Sequence, residues 1–311
     1  MSKSKIEWTN ETDNVFVVAD ESDPTKQHGW WCQPVSPGCK NCYAERLNLS
    51  PFYHGNLRLY RLDQKPETFL FRRDILASWK RKTATRMHFV NSMTDTFGDW
   101  YPDEWVFELL DAMADAPKQI FQVLTKRSAR MVDLSRKWLA IKGFARIPRN
   151  IWMMVSAEDQ ERADERVNDL IHVPAIVRGI SAEPLLGAIN FSFEGIAPKS
   201  ATPSYIPVGN MIDWVIVGGE SGPGARPMHP DWARSIRSQC QECEIPFLFK
   251  QWGEWIGGYH DLPGELESRV GCGDVSAIQT MDDGTPVYRF GKKAAGRLLD
   301  GQEWNGYPEI N

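Results

Sequence analysis

Ile151-Trp152-Met153-Met154-Val155 is a run of apolar residues that stops abruptly at Ser156-Ala157-Glu158-Asp159. A strand buried on both faces reads this way, because a parallel sheet covered by helices has no wet face for side chains to alternate toward. The same grammar recurs on either side. Upstream lie Met87–Val90, ending in Asn91-Ser92-Met93-Thr94-Asp95, and Ile120–Leu124, ending in Thr125-Lys126-Arg127. Downstream lie Ala175–Ile180, ending in Ser181-Ala182-Glu183-Pro184, and Trp214–Val217, ending in Gly218-Gly219-Glu220-Ser221. The last is Pro246–Phe249, ending in Lys250-Gln251-Trp252-Gly253-Glu254. A further strand is expected before them, with Ile6–Thr9 and Val15–Val18 as the two candidates.

Amphipathic helices fall between these runs. Pro102-Asp103-Glu104 opens one whose stripe is Trp105, Leu109, Ala112 and Met113, and Ala163, Val167, Leu170 and Ile171 mark another. Asp231-Trp232 opens a third, with Trp232, Ile236, Cys240 and Cys243 on one face. Strand–helix alternation of this kind predicts an α/β fold, a TIM-type barrel that is either full or a partial (β/α)6. Residues 1–256 are expected to form that barrel and 257–311 a C-terminal extension packed on it, with a helix around Lys292–Leu299. Residues 190–211, with Pro198, Pro203 and Pro207, read as a loop insertion.

The composition is that of a globular chain of 311 residues, 25% of them charged. Thirty-six basic and 41 acidic residues give a net charge of −5, which argues against a protein that coats nucleic acid along a broad basic face. No apolar run approaches the ~18 residues of a membrane span, and MSKSKIEWTN lacks the apolar stretch of a signal peptide. A cytoplasmic location is therefore expected, with no membrane partner.

Six cysteines are too few for a disulfide scaffold, but Cys32, Cys39 and Cys42 crowd into eleven residues. Two thiolates spaced C-x2-C grip one centre, Pro37-Gly38 permits the turn, and Cys32 lies near enough to join them. Three thiolates are one short of a closed structural zinc shell. They suit a [4Fe–4S] cube with three irons held by protein and the fourth open to a ligand. A competing arrangement completes a four-thiolate structural zinc site from Cys39, Cys42, Cys240 and Cys243. In that case the chain is a non-enzymatic zinc-binding or partner protein, although Cys240 and Cys243 also read as small core residues of an apolar stripe.

The remaining motifs are weaker. Gly218-Gly219-Glu220-Ser221-Gly222-Pro223-Gly224 permits close backbone approach, but it is not a dinucleotide fingerprint, and Gly291-Lys292-Lys293 lacks the rest of a phosphate loop. His229, before Pro230, is expected to pack or cap the following helix. Trp252 and Trp255, at a strand end, are placed to stack on a base.

Several segments together resemble the phage-associated three-cysteine-motif family. They are Ile6-Glu7-Trp8-Thr9, Val35-Ser36-Pro37-Gly38-Cys39-Lys40-Asn41-Cys42-Tyr43-Ala44-Glu45 and Phe121-Gln122-Val123-Leu124-Thr125-Lys126-Arg127. Ser181-Ala182-Glu183-Pro184-Leu185-Leu186-Gly187, Val217-Gly218-Gly219-Glu220-Ser221-Gly222 and Phe249-Lys250-Gln251-Trp252-Gly253 continue the likeness. So do Gly291-Lys292-Lys293-Ala294-Ala295-Gly296-Arg297 and Leu299-Asp300-Gly301 near the end of the chain. That family in turn resembles a divergent branch of the radical SAM enzymes. The resemblance implies a [4Fe–4S] cluster on Cys32, Cys39 and Cys42, with S-adenosyl-L-methionine on the open iron. An electron donor would then release a 5′-deoxyadenosyl radical. The spacing departs from the superfamily's usual C-x3-C-x2-C, having six residues between the first two cysteines, and Tyr43 follows the last cysteine instead of preceding it.

With that cofactor, the strand ends sort by chemistry. Asn91, Ser92 and Asp95 are candidates for its amino group and Lys126 for its carboxylate. Ser156 and Glu158, with Glu183 next, suit its ribose, Gly218 and Gly219 its adenine, and Glu220 closes the same rim. Lys250 and Trp252 remain as candidate catalytic groups for a small-molecule or nucleotide substrate, with a nucleic-acid base suggested by the phage context.

Overall fold

The structure is a computed structural model that describes residues 2–4, 6–53, 55–191, 211–258, 262 and 264–309. The described residues form two compact units: Met1–Val155 with Asn168–Arg178, and Ser156–Val167 with Gly179–Asn311. The breaks fall inside the strands Ile147–Ser156 and Ala175–Ala182 and inside the helix Gln160–Ile171.

In the first unit, β1 (Ser2–Lys3) pairs antiparallel with β2 (Glu11–Asp13), and β2 pairs parallel with β5 (Met87–Val90). Next come β6 (Ile120–Thr125) and β7 (Ile147–Ser156), each parallel to its predecessor. A separate antiparallel pair joins β3 (Phe16–Val18) to β4 (Phe69–Phe71). The strand β8 (Ala175–Ala182) enters the second unit at Gly179, where it pairs parallel with β9 (Trp214–Gly218), which in turn pairs parallel with β10 (Phe247–Gln251). The hydrogen-bonded order is β1-β2-β5-β6-β7-β8-β9-β10. The six apolar runs therefore form strands where they were expected, each within a few residues of its predicted ends.

The first strand of the parallel set is neither candidate. Ile6–Thr9 is a turn, Val15–Val18 mostly joins the antiparallel pair, and the strand beside β5 is Glu11-Thr12-Asp13. Its charges concealed it. Asp13 is buried because Trp79 Nε1 and His88 Nδ1 both reach its Oδ2, at 2.7 and 2.8 Å, and Lys82 pairs with Glu11.

Helices fill the connections. In the first unit, α1 (Tyr43–Asn48) and α2 (Arg73–Trp79) precede β5. After it come α3 (Asp103–Ala114), which buries Val106, Leu109, Leu110 and Met113, and α4 (Ser128–Lys142). Leu109 and Met113 were expected on that stripe, whereas Trp105 and Ala112 are only half-buried. The α4 helix ends at Gly143, whose φ of +68° suits a left-handed cap. Next, α5 (Gln160–Ile171) buries Ala163, Val167 and Leu170. The second unit adds α6 (Pro230–Glu242), with Ile236 and Cys240 buried as expected.

From Trp255 onward the second unit has β11 (Trp255–Gly257), α7 (Gly264–Gly271), β12 (Ala277–Thr280), β13 (Pro286–Arg289) and the short α8 (Lys292–Ala295). The last stretch is held to the β10 segment: Phe249 N donates to Trp304 O at 3.0 Å, and Trp252 N to Gly296 O at 3.1 Å. The loop expected around Pro198, Pro203 and Pro207 falls on 192–210, outside the described residues. No helix among the described residues is long and apolar enough to cross a membrane.

Candidate three-thiol site

The cysteine segment is irregular until Pro37-Gly38-Cys39, a single 3-10 turn, and Cys42 then occupies the N-cap position of α1. Backbone bonds fix the loop: Cys39 N donates to Ser36 O at 2.9 Å, Cys42 N to Cys39 O at 3.3 Å and Arg46 N to Cys42 O at 3.2 Å. Cys32 enters from Trp31, whose side chain is fully buried. The three thiols lie near enough to feel one another's charge.

Burial is the main cause that pushes the Cys32 thiol well above its ordinary range, with Asp95, Cys42 and Cys39 adding to it and Arg127 opposing. Burial also raises Cys42, opposed by the N–H groups of Glu45 and Ala44 and by Lys126. All six cysteines are free. Left to themselves, Cys32 and Cys42 keep their protons. A bound cationic centre would release them, which is the usual coupling of metal binding to thiol ionisation.

The loop after β5 is stitched to this segment. Tyr43 OH donates to Ser92 O and Tyr60 OH to Met93 O, both at 2.7 Å. Thr94 Oγ1 donates to Trp31 O at 2.7 Å. Asn91, at φ +57°, spends its side chain on scaffolding: Oδ1 accepts from Val15 N and Phe16 N, and Nδ2 donates to Thr96 Oγ1. Asp95 accepts from Thr125 Oγ1 at 2.6 Å and from the backbone N–H of Lys126 and Phe97 at 3.0 Å each, which ties the ends of β5 and β6 together. Arg127 lies over the Trp100 ring at 4.6 Å and donates to Gln33 O at 3.1 Å.

Cys32, Cys39, Cys42, Asp95 and Lys126 are therefore gathered in the first unit. Asn91 and Ser92 form the scaffold around them. Tyr60, Tyr101, Trp100 and Arg127 belong to the same site and were missed by sequence reading. Only Arg127, adjacent to Lys126 in a strand-end motif, carried a signal there.

Two observations test whether this site fits an iron–sulfur cube. First, Trp30 Nε1, Trp31 Nε1, Trp100 Nε1 and Arg127 Nε are buried donors that lack a partner. They sit on the segment bearing Cys32 and on the residues covering it. Such orphans are costly, and a group presenting several acceptor sulfurs would satisfy them. Second, no cysteine belongs to the set of ligand-type groups that meet within 4.8 Å among the described residues, which is Glu11, Asp13 and His88. One zinc ion would draw its sulfurs to about 3.8 Å from one another, given Zn–S bonds of ~2.3 Å. A cube offers each sulfur a different iron and accepts the wider spacing.

The Glu11–Asp13–His88 set is already engaged. Gln119 gives its amide hydrogens to Lys82 O and Ala84 O, so its Oε1 faces His88 Nε2 at 3.2 Å, and that nitrogen must donate. Burial works to raise the Asp13 carboxyl, but hydrogen bonds from His88 and Trp79 outweigh it and hold it below its ordinary range. Asp13 is thus engaged by His88 and Trp79, and Glu11 by Lys82, so the set is partnered within the chain.

In the second unit the strand ends carry a different set. Glu158 is fully buried with Arg166, whose Nη1 reaches its Oε2 at 3.0 Å and Ser156 O at 2.9 Å. Glu183 pairs with Lys250 at 3.0 Å and accepts from Ser181 Oγ at 3.1 Å. Its carboxylate lies over Gly218, where a Cβ would come within 2.4 Å of Oε1. At Gly219 a Cβ would meet Trp252 O at 1.9 Å, so this glycine serves the approach of two loops. Glu220 is held by Arg226 through Nε at 2.9 Å and Nη2 at 2.6 Å. Trp252 is buried with its indole N–H on Leu298 O at 2.8 Å, and Trp255 Nε1 donates to Ala225 O at 2.7 Å. Neither ring is open to a base. His229 caps α6 as expected, its Nδ1 accepting from Asp231 N at 3.1 Å. Cys240 is buried in α6, where burial raises its thiol, and Cys243 is the C-cap residue.

A profile of the family described as "Protein of unknown function (DUF5131)" matches residues 3–308, and the chain belongs to that family. No curated protein and no solved structure matches it.

Proposed function

We propose that this member of the DUF5131 family is a radical SAM-like enzyme of the phage-associated three-cysteine-motif kind, acting on a nucleotide or nucleic-acid base. The observation that carries the reading is that Cys32, Cys39 and Cys42 lie near enough to feel one another's charge, in a site whose buried N–H donors on Trp30, Trp31, Trp100 and Arg127 have no acceptor of their own. Cys32, Cys39 and Cys42 would each hold one iron of a [4Fe–4S] cluster, with the fourth iron left to S-adenosyl-L-methionine. When bound, that pair of groups supplies a 5′-deoxyadenosyl radical from one donated electron. The alternation of strand and helix from β5 to β10 supports a partial (β/α)6 barrel of the TIM type as the frame.

The protein's own residues do the positioning. Asp95 fixes the backbone at Lys126, which keeps that cation within electrostatic reach of the Cys42 thiol. Tyr60, Tyr101 and Trp31 exclude water, each being buried. Arg127 counters the charge that collects at Cys32. In the second unit, Glu183 and Lys250 make a half-buried pair able to hold and pass a proton. Free thiols throughout suit a reducing compartment.

The test is turnover by the cluster-loaded chain. Incubated anaerobically with S-adenosyl-L-methionine and dithionite, it should accumulate 5′-deoxyadenosine, and Cys39→Ala should not. Loaded protein that forms none overturns the reading.

A further inference from the structure

We propose that residues 40–53 and 55–65, beside the three-thiol site, form a binding surface for a single strand of nucleic acid. Six of the ten large apolar side chains left exposed among the described residues fall between Val35 and Leu62. Phe52 is 88% exposed, Tyr53 57% and Tyr43 40%, in a chain whose other aromatic residues are mostly buried. Monomeric proteins seldom expose large apolar surface without a use for it, and here it comes from one stretch of chain.

The segment is held in place. The buried Asn48 side chain donates to Asn56 Oδ1 at 2.6 Å and to Arg58 O at 2.9 Å, while its Oδ1 accepts from Trp30 N at 2.9 Å. Gly55 lies so close to it that a Cβ would meet Asn48 O at 1.8 Å. Glu45 accepts from Tyr60 N at 2.7 Å. The aromatic rings are thus carried on ordered backbone, which lowers the cost of immobilising them on a ligand. Through α1, that backbone continues directly from Cys42.

Charge selects the occupant. Between residues 40 and 65 stand five basic residues and two acidic ones, in a chain whose net charge is −5. Arg58 is taken by Glu21 and Arg61 by Asp63. Lys40, Arg46 and Lys65 are exposed and, among the described residues, meet no carboxylate. Tyr43 and Arg46 stand three residues apart in α1, on one side of that helix, and Lys40 lies in the turn just before it. Aromatic faces alternating with unpaired cations suit a phosphodiester chain with unstacked bases. A protein partner is disfavoured because lysine is depleted at such interfaces. A duplex hides its bases from the rings. Strand binding stands apart from the thiol reading, whereas use of the bound strand as substrate rests on it.

The experiment is fluorescence anisotropy of the full chain with labelled oligothymidylate, oligouridylate and a duplex of equal length, with iron content measured on the same samples. Saturable binding of either single strand, weaker for the duplex, is expected, and the two single-stranded arms show whether DNA or RNA is preferred. Phe52→Ala and Tyr53→Ala should each weaken it by roughly 5- to 100-fold. Lys40→Gln, Arg46→Gln and Lys65→Gln combined should flatten the slope of log affinity against log salt by about 2. All five positions are exposed, and an unchanged melting curve shows that the variants fold. No binding at low salt, equal binding of duplex, or binding that the substitutions leave untouched overturns the proposal. So does self-association of the chain that Phe52→Ala abolishes, which would assign the surface to a second copy. Any of these with normal iron loading leaves the proposed function standing.

Discussion

Arg127 reaches back from the end of β6 to the carbonyl of Gln33, at 3.1 Å, and so clamps the residue that follows Cys32. Its guanidinium is the cationic influence that opposes burial at the Cys32 thiol. In the metal-free chain, Arg127→Gln should therefore raise that thiol further and slow its alkylation by iodoacetamide at fixed pH. Peptide mass spectrometry reads the rate at Cys32 alone. An unchanged or faster rate would mean that Arg127 does not govern this thiol.

Asp95 is the knot between the ends of β5 and β6. Asp95→Asn keeps one acceptor oxygen but turns a donor toward the N–H of Lys126, leaving a buried pair mismatched at a cost of about 1–3 kcal/mol. A thermal melt should show the midpoint falling by about 1–2 °C for each kcal/mol. No shift would place Asp95 outside the structural network.

Gly219 and Gly264 separate close approach from free space. A Cβ at Gly219 meets the Trp252 carbonyl at 1.9 Å, whereas at Gly264 nothing lies within 4 Å. Gly219→Ala should destabilise the chain by about 1–3 kcal/mol through forced displacement. Gly264→Ala should be neutral or slightly stabilising. Equal denaturant midpoints for the two variants would contradict this packing.

The buried Asp13–His88 pair makes stability depend on acid. Asp13 is held below its ordinary value of 3.8, so the unfolded chain takes up its proton first as pH falls. Its contribution is complete well above that value and disappears as pH drops through the lower folded-state value, so stability decays as pH falls below about 5. Asp13→Asn should flatten this acid limb in urea titrations. At neutral pH it should cost about 3–5 kcal/mol, because it strands His88. An acid limb as steep as that of the wild type would remove Asp13 from the explanation.

The parallel strands were legible because residues such as Ile151–Val155 and Trp214–Val217 have no polar alternation to mislead the reader. Strand β2 was not, since Glu11 and Asp13 look like loop residues until Lys82, Trp79 and His88 are brought to them from far along the chain. The cysteine trio announced itself by local spacing. Its covering shell did not, because Tyr60, Trp100 and Tyr101 meet it only through tertiary folding. Trp252 illustrates the converse: at a strand end it looked available, and the packed C-terminal stretch takes both its ring and its indole N–H. The glycines after β9 looked like a ligand bed, but Gly219 answers to the Trp252 backbone.

The central claim is that Cys32, Cys39 and Cys42 hold an iron–sulfur cluster. Anaerobic reconstitution with iron and sulfide, followed by iron and sulfide analysis per chain, tests it most directly. About four of each are expected for a [4Fe–4S] cluster in the wild type, and close to none when all three cysteines are changed to alanine in chain that still melts normally. Equal loading of the two proteins, or one tightly held zinc and no iron in the wild type, would contradict it.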